Sequence, residues 1–148
     1  MSIKETYEME MHIKELYEKL RPLAEKEGIF KPITFHFATT TPHGAPGDFC
    51  YSDGDCYYYG GIGDRGAVTL ERTKSLFEVA YWIFEFQTSA MAFEYEKKHR
   101  IMGQSYRRIA FAKQLELMGL IGEDYRQRAE LEINKMLKEH PFQDELFR

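Results

Sequence analysis

The chain is poor in the residues that staple, anchor or carry redox chemistry. Its 148 residues include two cysteines, Cys50 and Cys56, and one tryptophan, Trp82. Two cysteines are too few for a disulfide scaffold and fit a reducing cytosol. No run reaches the ~20 apolar residues that a membrane helix needs. The most apolar stretch, 76–91, is broken by Glu78, Glu85, Gln87, Thr88 and Ser89. The N-terminal Met1-Ser2-Ile3-Lys4-Glu5 is charged from the start, which is not how a secretory signal reads. There is no internal repeat, no low-complexity segment and no polybasic tail. Net charge is −4, and all of it falls in residues 1–60, with 6 Lys/Arg against 10 Asp/Glu. An acidic balance argues against nucleic acid as the direct partner and suits a basic protein surface.

What is present is a large apolar inventory. Aromatic residues make up 15% of the chain. At this length about 69% of the unfolded chain's surface is buried on folding, enough for one domain, residues 1–148, with a real core. The densest apolar stretch lies between Ser75 and Met118. Ser75 and Glu78 have capping-box spacing, so a helix starts there. From Leu76 to Met91 apolar residues occupy every side of the helical wheel, the pattern of a buried helix. A turn is expected at Ile101-Met102-Gly103. A second helix follows, with an inner stripe of Ile109, Phe111-Ala112, Leu115 and Met118, and Gly119 as its stop.

Around this helical hairpin the chain reads as α+β. Glu5 to Glu27 has Met9, Ile13, Leu16, Leu20 and Leu23 at helical spacing, with a kink or break expected at Pro22. A strand opens at Pro32, with Ile33, Phe35 and Phe37 alternating with polar residues. Asp48–Tyr51 and Asp55–Tyr59 flank Ser52-Asp53-Gly54, a hairpin signal. Gly60 to Gly66 reads as a second, flexible turn, and Ala67 to Arg72 as a last strand. These make a small antiparallel meander of three to four strands packed against about four helices. The last helix is expected over Glu123–Glu139, with Tyr125, Ala129, Ile133, Met136 and Leu137 inside and Pro141 as its stop.

Most motif-like features have ordinary explanations. With Asp53-Gly54 as a two-residue turn, Cys56 pairs with Tyr51 and Cys50 with Tyr57. The two sulfurs then face opposite sides of the sheet and stay unlinked. Glu96-x-x-His99 has di-iron spacing but no second copy, so no metal or other cofactor is assigned. Gly60-Gly61-Ile62-Gly63-Asp64-Arg65-Gly66 lacks the Gly-Lys-Ser/Thr ending of a phosphate loop. Nothing in the spacing selects Cys50, His36 and Asp48 as a nucleophilic trio, and no catalytic residue is assigned.

One charged cluster stands out. Glu94, Glu96, His99, Arg100, Arg107 and Arg108 crowd the turn between the two central helices. Folding the helices together sets Glu96 opposite Arg107 and Glu94 opposite Arg108. The structural reading is that helices meeting at a turn pair their charges. The alternative is a small-ligand or anion site built on the arginines, and a further rival is an uncharacterised hydrolase.

The second half resembles the immunity protein 63 family of bacterial polymorphic-toxin systems. The resemblance runs from Tyr57 to Asp144. Its marks are the tyrosines at 57–59 leading to Asp64-Arg65-Gly66, then Tyr81-Trp82-Ile83-Phe84, Tyr95-Glu96 and Lys98-His99-Arg100. Gln104, Tyr106-Arg107-Arg108, Phe111 to Leu117 and Pro141-Phe142-Gln143-Asp144 complete them, with 95–117 the most specific part. Asp64 stands where Glu is more usual. The resemblance implies a non-enzymatic cytoplasmic antidote that binds a cognate toxin domain, and it supplies no catalytic or toxin-contacting residues. Tyrosine and acid content then points to the hairpin as the partner-binding surface, with Tyr51, Asp53, Asp55, Tyr57 and Tyr59 and the turn residues Asp64 and Arg65. Sheet alternation requires some of those tyrosines to face the core.

Overall fold

Eight elements run in the order α1 (Ile3–Lys26), β1 (His36–Phe37), β2 (Gly47–Ser52), β3 (Tyr57–Ile62), β4 (Val68–Thr73), α2 (Leu76–Lys98), α3 (Tyr106–Ile121) and α4 (Glu123–Glu139). This computed structural model describes residues 2–38, 47–62 and 68–144. The architecture is α+β: four helices and a four-stranded sheet ordered β1-β2-β3-β4. No described helix is long and apolar enough to cross a membrane. Contacts divide the chain into two compact units, residues 1–16 with 32–83 and residues 17–31 with 84–148. Helices α1 and α2 contribute residues to both.

The first unit holds the sheet. Strands β2, β3 and β4 form the expected antiparallel meander, while β1 joins β2 in parallel, pairing His36 with Phe49 and Phe37 with Cys50. The strand expected from Pro32 shrinks to two residues. Thr6 closes the start of α1 onto the sheet: its hydroxyl accepts from Ser52 N at 2.9 Å and donates to Ser2 O at 2.6 Å. Ser2 N in turn donates to Ser52 O at 2.8 Å.

The hairpin register differs from the sequence expectation. Ser52 pairs with Tyr57, Tyr51 with Tyr58 and Cys50 with Tyr59, so the loop is four residues, 53–56, not two. Asp53 causes the difference. Its carboxylate accepts from the backbone N–H of both Asp55 and Cys56 at 2.8 Å, closing a longer turn on itself. Cys56 therefore sits in the loop, not opposite Tyr51. Both thiols are buried and unlinked, though not for the reason of opposite sheet faces. Gly60 and Gly61, expected in the following turn, are strand residues paired with Leu70 and Thr69.

The second unit is helical. Helix α1 does not break at Pro22: the helix continues to Lys26 with the proline inside. It ends in a Schellman cap. Gly28 has φ 70°, its N–H donates to Glu25 O at 3.1 Å, and Ile29 N donates to Ala24 O at 2.9 Å. Lys98 adds a hydrogen bond from Nζ to Gly28 O at 2.7 Å, placing a cation at the negative end of the helix dipole. Tyr17 donates its hydroxyl to Lys31 O and packs its ring against Phe30 and Phe84.

Helix α2 starts as its capping box predicts, with Glu78 N donating to Ser75 Oγ at 3.1 Å. It is not buried all round as its apolar wheel suggests: 10 of its 23 residues are buried, and Phe86 is 46% and Phe93 39% exposed. The expected stripe of α3 is displaced. The buried positions are Ala110, Lys113, Gln114, Leu117, Met118 and Ile121, whereas Ala112 is exposed and Ile109, Phe111 and Leu115 are half-buried. Two polar residues occupy the inner face because they find partners there. Gln114 donates to Glu85 O at 3.1 Å and Thr88 Oγ1 at 3.3 Å, and Lys113 lies within 3 Å of two carboxylates. Gly119 does not stop α3; Gly122 does, and α4 begins at once.

Candidate functional site

Two groups of polar and aromatic residues emerge, one in each unit. The first is the hairpin. Register splits its tyrosines between the two faces of the sheet. Tyr51 and Tyr58 are directly opposite and stack at 4.7 Å with rings 14° apart, and Phe49 extends the stack at 6.1 Å from Tyr51. A cross-strand aromatic pair of this kind contributes ~0.5–1.5 kcal/mol beyond its buried area. Arg72 stands opposite Tyr58 on the same face, and Leu70, one pleat along, is 48% exposed. Tyr57 and Tyr59 point to the other face, where Tyr59 packs against Phe35 at 5.3 Å and Trp82 at 6.2 Å. Of the hairpin residues picked from sequence, Tyr51 alone among the tyrosines therefore shares a face with Arg72. Tyr58 stands directly opposite it and was missed; the two-residue turn sets Tyr58 on the same face but opposite Phe49.

Asp53 is committed to the turn. Beyond its two backbone bonds it accepts from the Tyr58 hydroxyl at 2.8 Å. The N–H groups of Cys56 and Asp55, then the Tyr58 hydroxyl, hold its carboxyl down at about 2. The same bond raises the Tyr58 hydroxyl above its usual value. Asp55 is exposed and forms a loose pair with Lys74 at 3.5 Å. Asp64 and Arg65 lie outside the described residues.

The second group is the charged cluster at the α2–α3 turn. The pairs differ from those expected between helices. Glu96 binds Arg100 on its own helix through two bonds of 2.9 Å, not Arg107. Its carboxyl is lowered chiefly by the Arg100 hydrogen bonds, against burial. Glu94 pairs with Lys97 at 3.5 Å, not Arg108. The arginines of α3 turn instead to residues 141–144. Arg107 donates to Pro141 O at 2.8 Å, Arg108 bonds Asp144 at 3.0 Å, and the Arg108 guanidinium sits 4.2 Å from the Phe142 ring centroid. Asp144 also accepts from Ser105 N at 2.8 Å, capping the start of α3 that its own N-cap side chain leaves uncapped. Sequence reasoning placed these charges at one turn but could not see that residues 141–144 bond the arginines of α3.

Tyr95 links this group to the buried lysine. Its ring stacks on His99 at 4.0 Å, and Lys113 Nζ lies 4.0 Å from its centroid. Lys113 Nζ is 2.9 Å from Glu27 and 2.8 Å from Glu116. Burial alone lowers such an ammonium; the bonds to Glu116 and Glu27 outweigh it, and the pKa is raised. Every cation of this cluster with a described partner thus spends it inside the fold. Among the described residues no group of three or more His, Cys, Asp or Glu is placed to hold a metal ion.

A family model described as Immunity protein 63 matches residues 54–135, more than half of the chain. The chain belongs to the immunity protein 63 family. No curated protein and no solved structure matches it. The family match runs from the hairpin loop to the middle of α4, so it includes β3, β4, α2 and α3 whole. The matched range contains the Glu96–Arg100 pair, the stacked Tyr95–His99 rings and the buried Lys113 and Gln114. Helix α1, β1 and β2 lie outside the match.

Proposed function

We propose that this protein is a cytoplasmic antidote that binds a cognate toxin domain of a polymorphic-toxin system and blocks it stoichiometrically. The observation that carries the reading is the family match over residues 54–135. The geometry supports binding over catalysis. The arginines that would make an anion site are already bonded: Arg100 to Glu96, Arg107 to Pro141 and Arg108 to Asp144. That removes the main support for a ligand-binding role at the α2–α3 turn.

The recognition surface in this proposal is the hairpin loop and the sheet face that carries Tyr51, Tyr58 and Arg72. Tyr51 and Asp55 supply contacts, with Tyr58 and Arg72 beside Tyr51 on the same face. Tyr57 and Tyr59 support the sheet from its other side, and Asp53 stiffens the turn. Stacked tyrosines present a large amphipathic area with little conformational freedom left to lose, which favours an interface. The acidic first 60 residues suit a basic toxin.

Affinity capture tests the reading. Tagged protein is used as bait in lysate of its own cells, with a high-salt wash and mass spectrometry. One large partner ending in a short toxic domain, retained near 1:1 and inactivated by the bait, supports it. Nothing retained from cells that express candidate toxins overturns it. Asp55→Lys, at an exposed residue, and Tyr51→Ser, at a half-buried one with folding checked by its melting curve, should then weaken the complex at least tenfold; unchanged affinity refutes the surface.

A further inference from the structure

The solvent side of α2 carries an apolar stripe that the antidote reading does not use. Phe86 and Phe93 are seven residues apart, two turns or ~10 Å along one face. They are 46% and 39% exposed. Between them on that face stand the small residues Ser89 and Ala90, both half-buried. The stripe does not stop at the helix end. Phe93 meets Tyr106 at 5.8 Å, and Tyr106 borders a shallow depression of about 340 Å³ shared with Ile101 and Met102. Those two are 53% and 82% exposed. Scaling ordinary side-chain areas by these exposures gives ~500 Å² of contiguous surface, the upper range for a monomer's largest apolar patch.

The surface is also stiff. Arg100 is held by Glu96, Gln104 N donates to Ile101 O at 3.3 Å, and Gly103 at φ 80° supplies the left-handed residue that turn needs. Asp144 fastens Ser105 on the far side. A rigid apolar surface loses little entropy when it is covered.

We infer that α2 packs against α2 of a second copy of this chain, antiparallel, about a two-fold axis near Ala90 and Met91. The stripe is self-complementary in shape. In that arrangement Phe93 of each copy lies over Ser89 and Ala90 of the other, where small side chains allow the helices to approach. It is also self-complementary in charge. Glu85 stands near the beginning of the stripe and Lys97 near its end, both exposed. Antiparallel pairing sets Glu85 of one copy level with Lys97 of the other; parallel pairing would set like against like. Two such patches cover ~1,000 Å², near the lower limit for a specific interface, so the dimer is weak and concentration-dependent.

Sedimentation velocity with light scattering, from low to high micromolar protein, tests this without any toxin and independently of the antidote reading. The expected result is a dimer that dissociates on dilution. Ala90→Arg and Phe93→Asp should each shift dissociation at least tenfold toward monomer, with melting curves showing that both variants fold. Glu85→Lys should weaken the dimer, and adding Lys97→Glu should restore it. A protein that stays monomeric throughout overturns the inference. So does a dimer indifferent to Ala90→Arg and Phe93→Asp. A charge swap that fails to restore association overturns the antiparallel pairing.

Discussion

Glu96 and Arg100 are joined by two hydrogen bonds of 2.9 Å, and the two ends of that pair live in different surroundings: the Glu96 side chain is 1% exposed and that of Arg100 59%. The guanidinium acts as a lid on a buried carboxylate. It lets α2 run to its end with an acid on the inner face.

This asymmetry predicts the outcome of a double-mutant cycle. Arg100→Ala strands a buried charge and should lower the melting temperature clearly. Adding Glu96→Leu should recover most of the loss, because the charge that needed a partner is gone. The Glu96 carboxyl is lowered in the folded state, so its contribution is complete above the ordinary glutamate range and fades as pH falls through the folded value. A melting temperature that drops as far in the double variant as in Arg100→Ala would contradict the account.

Asp53 makes the hairpin turn acid-sensitive. Its carboxyl is held at about 2, below the ordinary aspartate value of about 4, so the turn's contribution is complete above about pH 4 and lost as pH falls toward 2. Amide exchange at Asp55 and Cys56 should accelerate, relative to the rest of the sheet, over that interval. Asp53→Asn should show no such interval and exchange faster at neutral pH.

The tail residues Pro141 to Asp144 should stabilise α3 measurably. Asp144→Ala removes the bond to Ser105 N and the pair with Arg108, and about 1–2 kcal/mol of stability should go with them in urea unfolding. Arg107→Ala releases Pro141 O and its contacts with Phe111 and Phe142, and should cost about 1 kcal/mol. An unchanged unfolding midpoint in both variants would show that the tail is not fastened as described.

Lys113 is the one cation on the inner face of α3, and its removal should be costly. Lys113→Ala leaves Glu27 without its ion pair and opens space beside Tyr95. A loss of about 2–4 kcal/mol is expected. Lys113→Met with Glu27→Gln should recover at least half, because methionine fills the stem's volume without a charge.

Several features were legible from sequence because local chemistry settles them. The Ser75 cap, the turn at Gly103, the limits of α4 and the inner positions Met9, Ile13, Leu16 and Leu20 of α1 follow from spacing, capping and glycine alone. Where reading failed, a side chain made a bond that its neighbours in sequence do not announce. Asp53 lengthened the hairpin turn and moved every tyrosine pairing by two positions. Lys113 and Gln114 turned the inner face of α3 because carboxylates and carbonyls from distant segments meet them. Pro22 stayed inside α1 because packing at Leu20 and Ala24, both 0% exposed, outweighs one missing hydrogen bond.

The same division holds for function. The family was readable in the residues themselves, since linear patterns such as Tyr95-Glu96 and Tyr106-Arg107-Arg108 lie within the matched residues 54–135. Which arginines are already spent, which tyrosines stand directly opposite one another and which aromatic residues of α2 stay in solvent were decided only by the fold. Those are properties of partners brought together from far apart in the chain, and no periodicity within one segment encodes them.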